Sequence, residues 1–238
     1  MLAIIRLLLL AIAFASVSVI ACIYCLFKPF HPNNVYIFAR IVSKFSWIVG
    51  LKVELRNVPD FNTLKPSVYI CNHQNNYDIF TAAAAVVPNT VSVGKKSLKW
   101  IPFFGQMYWL TGNILIDRNN TNRANGTIEL TARKIKEKNL SVFLFPEGTR
   151  SKGRGLLPFK TGAFRTAIKA NVPIVPVCTS NMHGDVSLHN WSNGKVIVEF
   201  LDPIDVSKIN DGNIREISNS VHSLMSDKIA QLDAENQK

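Results

Sequence analysis

Two titratable side chains five positions apart, His73 and Asp78, stand in the stretch Asn72-His73-Gln74-Asn75-Asn76-Tyr77-Asp78, between an apolar strand-like run and an apolar helix-like one. An imidazole whose one nitrogen is held by a carboxylate keeps its other nitrogen free to take a proton from a substrate hydroxyl. Regular helix does not bring this pair together, because five positions rotate through about 500°. A turn is required, and Asn75-Asn76 favours one. The pair also suits plain structure, with Asp78 capping the helix that follows, and spacing alone leaves the two readings level.

A second group, Phe145-Pro146-Glu147-Gly148-Thr149-Arg150-Ser151, again leaves an apolar run through a Pro and Gly bend. It offers a carboxylate, a hydroxyl and a guanidinium: Arg pairs bidentately with phosphate, while a carboxylate accepts from hydroxyls. The plain alternative is a solvated turn with a weak Glu147–Arg150 ion pair. A third group, Gly112 to Arg118, ends on Asp117-Arg118 and supplies a second candidate guanidinium for phosphate. Val172-Pro173-Ile174-Val175-Pro176-Val177 carries no chemistry, and its prolines predict an edge strand or a wall against the cavity. Between the first and third groups, Lys95, Lys96 and Lys99 mix with Trp100, Phe103 and Phe104, which suits a substrate phosphate, an anionic lipid surface, or a solvated basic loop.

These groups need elements to hold them. Seven short runs read as strands: Leu51 to Leu55, Val68 to Cys71, Thr90 to Val93, Asn113 to Ile116, Ser141 to Phe145, Ile174 to Val177 and Val196 to Phe200. Helices are predicted over Asp78 to Val87, Asn122 to Lys138, Thr161 to Ala170 and Ile214 to Ala234, with a frayed polar tail from Asp233. The alternation predicts an α/β fold, a mixed sheet flanked by helices.

An uncharged apolar run of roughly 21 residues, Leu7 to Phe27, precedes it and is long enough to cross hydrocarbon as a helix. Ala13-Phe14-Ala15 and Val19-Ile20-Ala21-Cys22 leave a cleaved signal peptide open, but the run exceeds a usual signal core, so an anchor is expected. Val35 to Gly50 gathers Phe38, Ile41, Val42, Phe45, Ile48 and Val49 on one helical face and suits a helix lying in the interface, or one packed on the domain. The expected organisation is therefore a membrane anchor and interfacial helix over 1–50 and a catalytic domain over 51–238.

Across 238 residues the formal net charge is +11, from 27 Lys and Arg against 16 Asp and Glu, which favours anionic partners. Without zinc-finger spacing, an aromatic RNA-binding string or a long basic run, nucleic acid is not expected among them. The 4 cysteines form neither a metal set nor a disulfide framework. Cys71 lies two residues before His73 and is a conceivable acyl carrier, though a small apolar strand residue accounts for it better. His31, His183, His189 and His222 have no comparable neighbour in sequence and read as surface or structural.

Taken in order, NHQNNYD, GNILIDR, FPEGTRS and VPIVPV resemble the four sequence blocks of the glycerolipid acyltransferase family, most closely its bacterial 1-acylglycerol-3-phosphate acyltransferases. The likeness covers nearly the whole chain. It implies transfer of a fatty acyl group from acyl-coenzyme A or acyl carrier protein to the 2-hydroxyl of lysophosphatidate, with no other cofactor and no metal. The resemblance also implies roles: His73 as base, Asp78 orienting it, and Arg118, Glu147, Gly148, Thr149 and Arg150 around the glycerol phosphate. It implies a bacterial inner membrane, with the catalytic domain on the cytoplasmic side where thioesters are found.

Overall fold

Val68, Tyr69, Ile70 and Cys71 are buried without interruption, so the strand they form is covered on both faces and must lie inside a sheet. A computed structural model describes residues 1–116, 121–207, 209 and 212–236, with no side-chain description for 121–125. In it this strand, β2 (Val68–Cys71), is the middle one of seven. The others are β1 (Lys52–Arg56), β3 (Thr90–Lys95), β4 (Ile114–Ile116), β5 (Ser141–Leu144), β6 (Ile174–Thr179) and β7 (Lys195–Phe200). Their spatial order is β1-β7-β6-β2-β5-β3-β4.

The sheet is mixed: β6 pairs parallel with β2 but antiparallel with β7, and β1 runs parallel to β7. The C-terminal ends of β2, β5, β6, β3 and β4 therefore share one edge. Along that edge open the loops carrying His73, Glu147 and Lys95.

Successive side chains of a strand point to opposite faces, and the core divides accordingly. Val68, Ile70, Val142, Ile174 and Ile197 face one apolar cluster, Tyr69, Cys71, Phe143, Val175 and Val177 the other. Helices α5 (Thr121–Lys138), α6 (Gly162–Ala170) and α7 (Ile214–Asn236) supply Ala132, Ile135, Phe164, Ala167, Val221 and Met225 to the first, while α3 (Asp78–Ala84) gives Phe80 to the second.

β6 corrects an expectation. It is internal rather than an edge strand, and Pro176 is tolerated there because its carbonyl accepts from Leu201 N–H at 2.9 Å, one residue past the end of β7. The missing N–H leaves a single gap beside the end of β7, and Ile174 resumes the pairing by exchanging both backbone bonds with Ile204 at 3.0 and 2.7 Å.

The N-terminal elements pack more closely on the domain than expected. α1 (Leu2–Phe27) is, among the described residues, the one helix long and apolar enough to cross a membrane. Its inner side nevertheless joins the domain: Phe14 sets its ring edge-on to Phe45 at 5.4 Å, and Val17, Ala21 and Cys25 belong to the same cluster as Val68 and Ile70.

The periodic segment after it divides into α2 (Asn34–Lys44) and a 3-10 turn, Phe45–Val49. α2 buries Val35, Phe38, Ala39 and Val42 against α3 and β3, so this side of it serves packing, while Ile41 stays exposed. Val17, Ala21, Cys25, Phe38 and Val42, all within 1–50, thus share an apolar cluster with Val68 and Ile70.

At the other end of α1, Arg6 is buried and donates to the carbonyls of Leu188, Asn190 and Trp191. Gly50 sits beside it at φ 72, where a β-carbon would meet Trp191 O at 2.6 Å and the Arg6 guanidinium at 2.9 Å. Only glycine permits both the turn and the approach.

A hydrogen bond to a charged group contributes about 1.5–3 kcal/mol. Arg6→Ala should therefore lower stability by about 2 kcal/mol, a fall of about 4–8 °C in the thermal midpoint for a chain of this size. The shift is measurable by calorimetry in detergent, and a midpoint equal to wild type would remove Arg6 from the docking of α1.

Candidate active site

β2 ends at Cys71 and α3 begins at Asp78, and the six residues between them form a tight loop around one carboxylate oxygen. Asp78 Oδ2 accepts from His73 Nδ1 at 2.5 Å, Gln74 N–H at 2.6 Å and Asn75 N–H at 3.0 Å. Asn75 Oδ1 accepts from Tyr77 N–H at 2.8 Å, which closes the turn. An N-cap side chain accepts from amides of the helix it opens. Asp78 instead reaches back into the loop before it, so the capping alternative does not describe this site.

With Nδ1 donating to Asp78, the other ring nitrogen of His73, Nε2, has no protein partner among the described residues. The ring stacks on Phe145, with centroids 4.0 Å apart and planes at 15°. The phenyl ring shields one imidazole face and fixes the direction of Nε2. The His73 side chain keeps 17% of its surface exposed, while Asp78 keeps 5%.

The FPEGTRS loop grips the same residue through the backbone. Glu147 is buried, and its Oε1 accepts from His73 N–H at 2.6 Å while Oε2 accepts from Leu157 N–H at 3.0 Å. His73 O accepts from Ser151 N–H at 2.7 Å and Gln74 O from Lys152 N–H at 2.9 Å. Burial pushes the Glu147 carboxyl above its usual range and the nearby Asp78 charge adds to this, against the two amide bonds and His73. Glu147 thus holds loops together with both oxygens, whereas sequence reasoning placed it on the glycerol phosphate.

Pro146 and Gly148 make the bend. Gly148 N–H donates to Phe145 O at 3.0 Å across a four-residue turn, and Gly148 takes φ 71. Thr149 and Arg150 follow on the outside, both exposed, and the Arg150 guanidinium has no ion-pair partner among the described residues. Lys95, the last residue of β3, and Lys96 after it are exposed, two strands along the sheet edge from His73, and Lys99 lies over the Trp100 ring. Arg118 lies outside the described residues.

Several residues of the site escaped sequence reasoning. Asn72 pairs its whole amide with the end of β6, Nδ2 donating to Thr179 O at 2.9 Å and Oδ1 accepting from Thr179 N–H at 2.8 Å. Gln74 Nε2 donates to Ser180 O at 2.8 Å and Gln74 Oε1 accepts from Met182 N–H at 2.9 Å. The two amides flanking His73 anchor it to a loop more than a hundred residues away, a pairing that local sequence does not display.

A cavity of about 210 Å3 opens over His73, lined by Glu147, Ser151, Leu156, Asn181, Ile229 and Asp233 among others. Asp233 belongs to the segment expected to fray. Instead α7 runs to Asn236, with Leu232 buried, Asp233 Oδ1 accepting from Asn181 N–H at 2.5 Å, and Glu235 paired with Arg56 at 2.5 Å.

Residues 52–180 match the family model described as Acyltransferase. The chain belongs to the acyltransferase family. Over 235 residues it is 52% identical to the 1-acyl-sn-glycerol-3-phosphate acyltransferase of Escherichia coli (strain K12), covering 99% of this chain and 96% of that one. The Haemophilus influenzae protein of the same name is 50% identical, over 99% of this chain and 98% of its own. Among solved structures, the 1-acyl-sn-glycerophosphate acyltransferase of Thermotoga maritima superimposes with a TM-score of 0.70 at 21% identity, covering 96% of this chain and 98% of that one. At that identity the match establishes a shared fold.

In this acyltransferase the other candidate nucleophile is poorly placed. Cys71 is buried in β2 beside Thr179, and burial pushes its thiol well above the ordinary thiol range. Of the remaining histidines, His31 and His189 are exposed, the exposed His183 ring lies against Gly153 of the cavity lining, and His222 Nε2 meets the carbonyl of Leu156, another lining residue, at 3.2 Å.

Glu147→Gln should cost about 1–3 kcal/mol, since one amide cannot accept from two N–H donors with both its ends. The sign of its pH dependence follows from the raised carboxyl. The stability linked to Glu147 is complete below its ordinary value of 4.5 and is lost as pH rises through the raised value. Denaturant titrations of both proteins at pH 4 and 7 should therefore show a wider gap at pH 4, and a wider gap at pH 7 would contradict this.

Proposed function

We propose that this chain transfers a fatty acyl group from an acyl thioester to the 2-hydroxyl of 1-acylglycerol 3-phosphate, forming phosphatidate in phospholipid synthesis, with His73 as general base. The observation that carries the reading is the open Nε2 of an imidazole fixed by Asp78 on one side and Phe145 on a face, in a chain whose near full-length relatives bear that activity in their names.

The chemistry follows from the geometry. The acceptor hydroxyl gives its proton to Nε2 as its oxygen attacks the thioester carbonyl, forming the ester C–O bond. Collapse of the tetrahedral intermediate breaks the C–S bond, and the departing thiolate takes the proton back from the imidazolium. Asp78 stabilises that imidazolium through Nδ1. Transfer is direct, because Cys71 is neither exposed nor ionised by its surroundings. The reaction needs no cofactor beyond the thioester, and the net charge of +11 suits either polyanionic donor, acyl-coenzyme A or acyl carrier protein.

In this reading Arg150, exposed on the turn that also supplies Glu147, meets the acceptor phosphate, with Thr149 and Gly148 beside it. Arg118, which lies outside the described residues and follows β4 in sequence, is the second guanidinium in this reading. Glu147 acts on the substrate through the loops it joins.

The membrane arrangement follows from α1. It is fastened near its start by Arg6, in its middle by Phe14 and near its end by Cys25, so it lies along the domain. Its outer face leaves Leu8, Ile12, Ile20, Ile23 and Leu26 exposed. We read α1 as seated in one leaflet of a bacterial cytoplasmic membrane, with the catalytic domain on the side where thioesters are made.

One kinetic comparison tests the reading. Wild type should release thiol from acyl-coenzyme A on addition of lysophosphatidate. His73→Ala should lose about 10²–10⁴ in kcat with its circular dichroism unchanged. Arg150→Ala should raise KM for lysophosphatidate more than it lowers kcat, by about tenfold, consistent with a lost charged contact worth about 1.5–3 kcal/mol. Turnover retained in His73→Ala would overturn the proposed mechanism.

A further inference from the structure

The segment from Lys95 to Phe103 has no part in the steps above, yet it is unusually built. Lys96–Trp100 forms a 3-10 turn with no buried residue, and Trp100, Ile101 and Phe103 are 75%, 45% and 58% exposed. Phe103 adopts φ 63 and ψ −54, while Phe104 N–H donates to Pro102 O at 2.7 Å. This is a three-residue turn of the rare strained kind, centred on a bulky side chain that resists positive φ.

The strain has a visible consequence. The chain folds back so tightly that a β-carbon on Gly105 would collide with the carbonyl of Lys99. The phenyl ring of Phe103 is left pointing outward and joins no core cluster. Bulky side chains held in such a conformation on a surface mark function more often than packing.

What surrounds the turn indicates an occupant. α4 (Phe104–Leu110) carries the turn at its start and packs against α1. At its far end Trp109, 51% exposed, meets Phe30 edge-on at 5.3 Å, and Phe30 N–H donates to Leu110 O at 3.0 Å. Phe30 follows the exposed end of α1, Leu26 and Phe27. Exposed apolar side chains thus stand at both ends of α4, Trp109 with Phe30 beside the end of α1 and Trp100 with Phe103 at the turn, with Gln106 exposed between them.

Three cations border the tip. Lys95 and Lys96 are exposed, and Lys99 Nζ stands 4.5 Å above the Trp100 ring. None has an ion-pair partner among the described residues. Exposed aromatic rings beside unpaired lysines fit the boundary of an anionic bilayer, where rings sit at headgroup depth and ammonium groups meet lipid phosphate.

We propose that the Trp100–Phe103 turn is a second membrane contact, inserting Trp100, Ile101 and Phe103 into an anionic leaflet while Lys95, Lys96 and Lys99 meet its phosphates. It rests on the reading of α1 as lying in one leaflet. Two separated contacts fix the tilt of the domain, and because the turn follows β3 on the sheet edge that carries His73, they turn the cavity toward the surface from which a lipid acceptor must come.

The test uses the full chain with Trp47, Trp109 and Trp191 replaced by Phe, so that Trp100 alone of the 4 tryptophans emits. The vesicles contain phosphatidylglycerol and a phosphatidylcholine brominated in its acyl chains. Protein that floats with the vesicles should show blue-shifted Trp100 emission quenched about twofold. Flotation with unshifted, unquenched Trp100 would overturn the tip while leaving the reading of α1 intact; failure to float would overturn both. Should the triple variant misfold, Trp100→Ser with Phe103→Ser in the otherwise unaltered chain gives a second measure. Vesicle partitioning should weaken about tenfold, as loss of buried aromatic surface requires, and unchanged partitioning would overturn the proposal.

Discussion

The site depends on one oxygen atom, Oδ2 of Asp78, which collects an imidazole N–H and two backbone amides. A buried carboxylate is costly unless its lone pairs are filled, and here they can be filled only if the chain between β2 and α3 curls around it. That requirement sets where the strand stops, where the helix starts and which nitrogen of His73 carries the proton. The catalytic geometry and the local fold are consequently the same set of hydrogen bonds. A change at Asp78 would disturb both.

A second buried carboxylate, Glu147, completes the arrangement from the neighbouring strand. It ties β5's loop to the backbone of His73, while the amides of Asn72 and Gln74 tie β6's loop to the other side. Three loops at the C-terminal ends of adjacent parallel strands are thereby locked together, in the crevice where open α/β sheets usually bind ligands. Burial is what chiefly raises the Glu147 carboxyl, the nearby Asp78 charge adds to it, and the two amide donors offset part of the cost.

How much of this could be read from sequence depended on range. β2, β5 and β7 stood out because consecutive or alternating β-branched residues between turn signals announce strands, and His73 with Asp78 stood out as a titratable pair on a junction. What failed was non-local. α2 carries the period of an interfacial helix, but the same period serves packing on α3, and only the tertiary neighbour decides. Pro176 looked like an edge residue until β7 proved to end beside it. Asn72 and Gln74 are ordinary amides in sequence and Asp233 sat in an ordinary polar tail; their partners at 179–182 are far along the chain. α4 was missed because Phe104–Leu110 is short and mostly apolar, with no polar face to give it a period.

The bond to Asp78 puts the proton of neutral His73 on Nδ1 and leaves the lone pair on Nε2, facing the cavity. Nitrogen-15 resonance of the His73 ring measures that directly in the unreacted protein. This tautomer gives a pyrrole-type Nδ1 bonded to hydrogen and a pyridine-type Nε2 when the ring is neutral, with the assignment lost in Asp78→Asn. A proton found on Nε2 would contradict it, since a base cannot accept a proton where it already carries one.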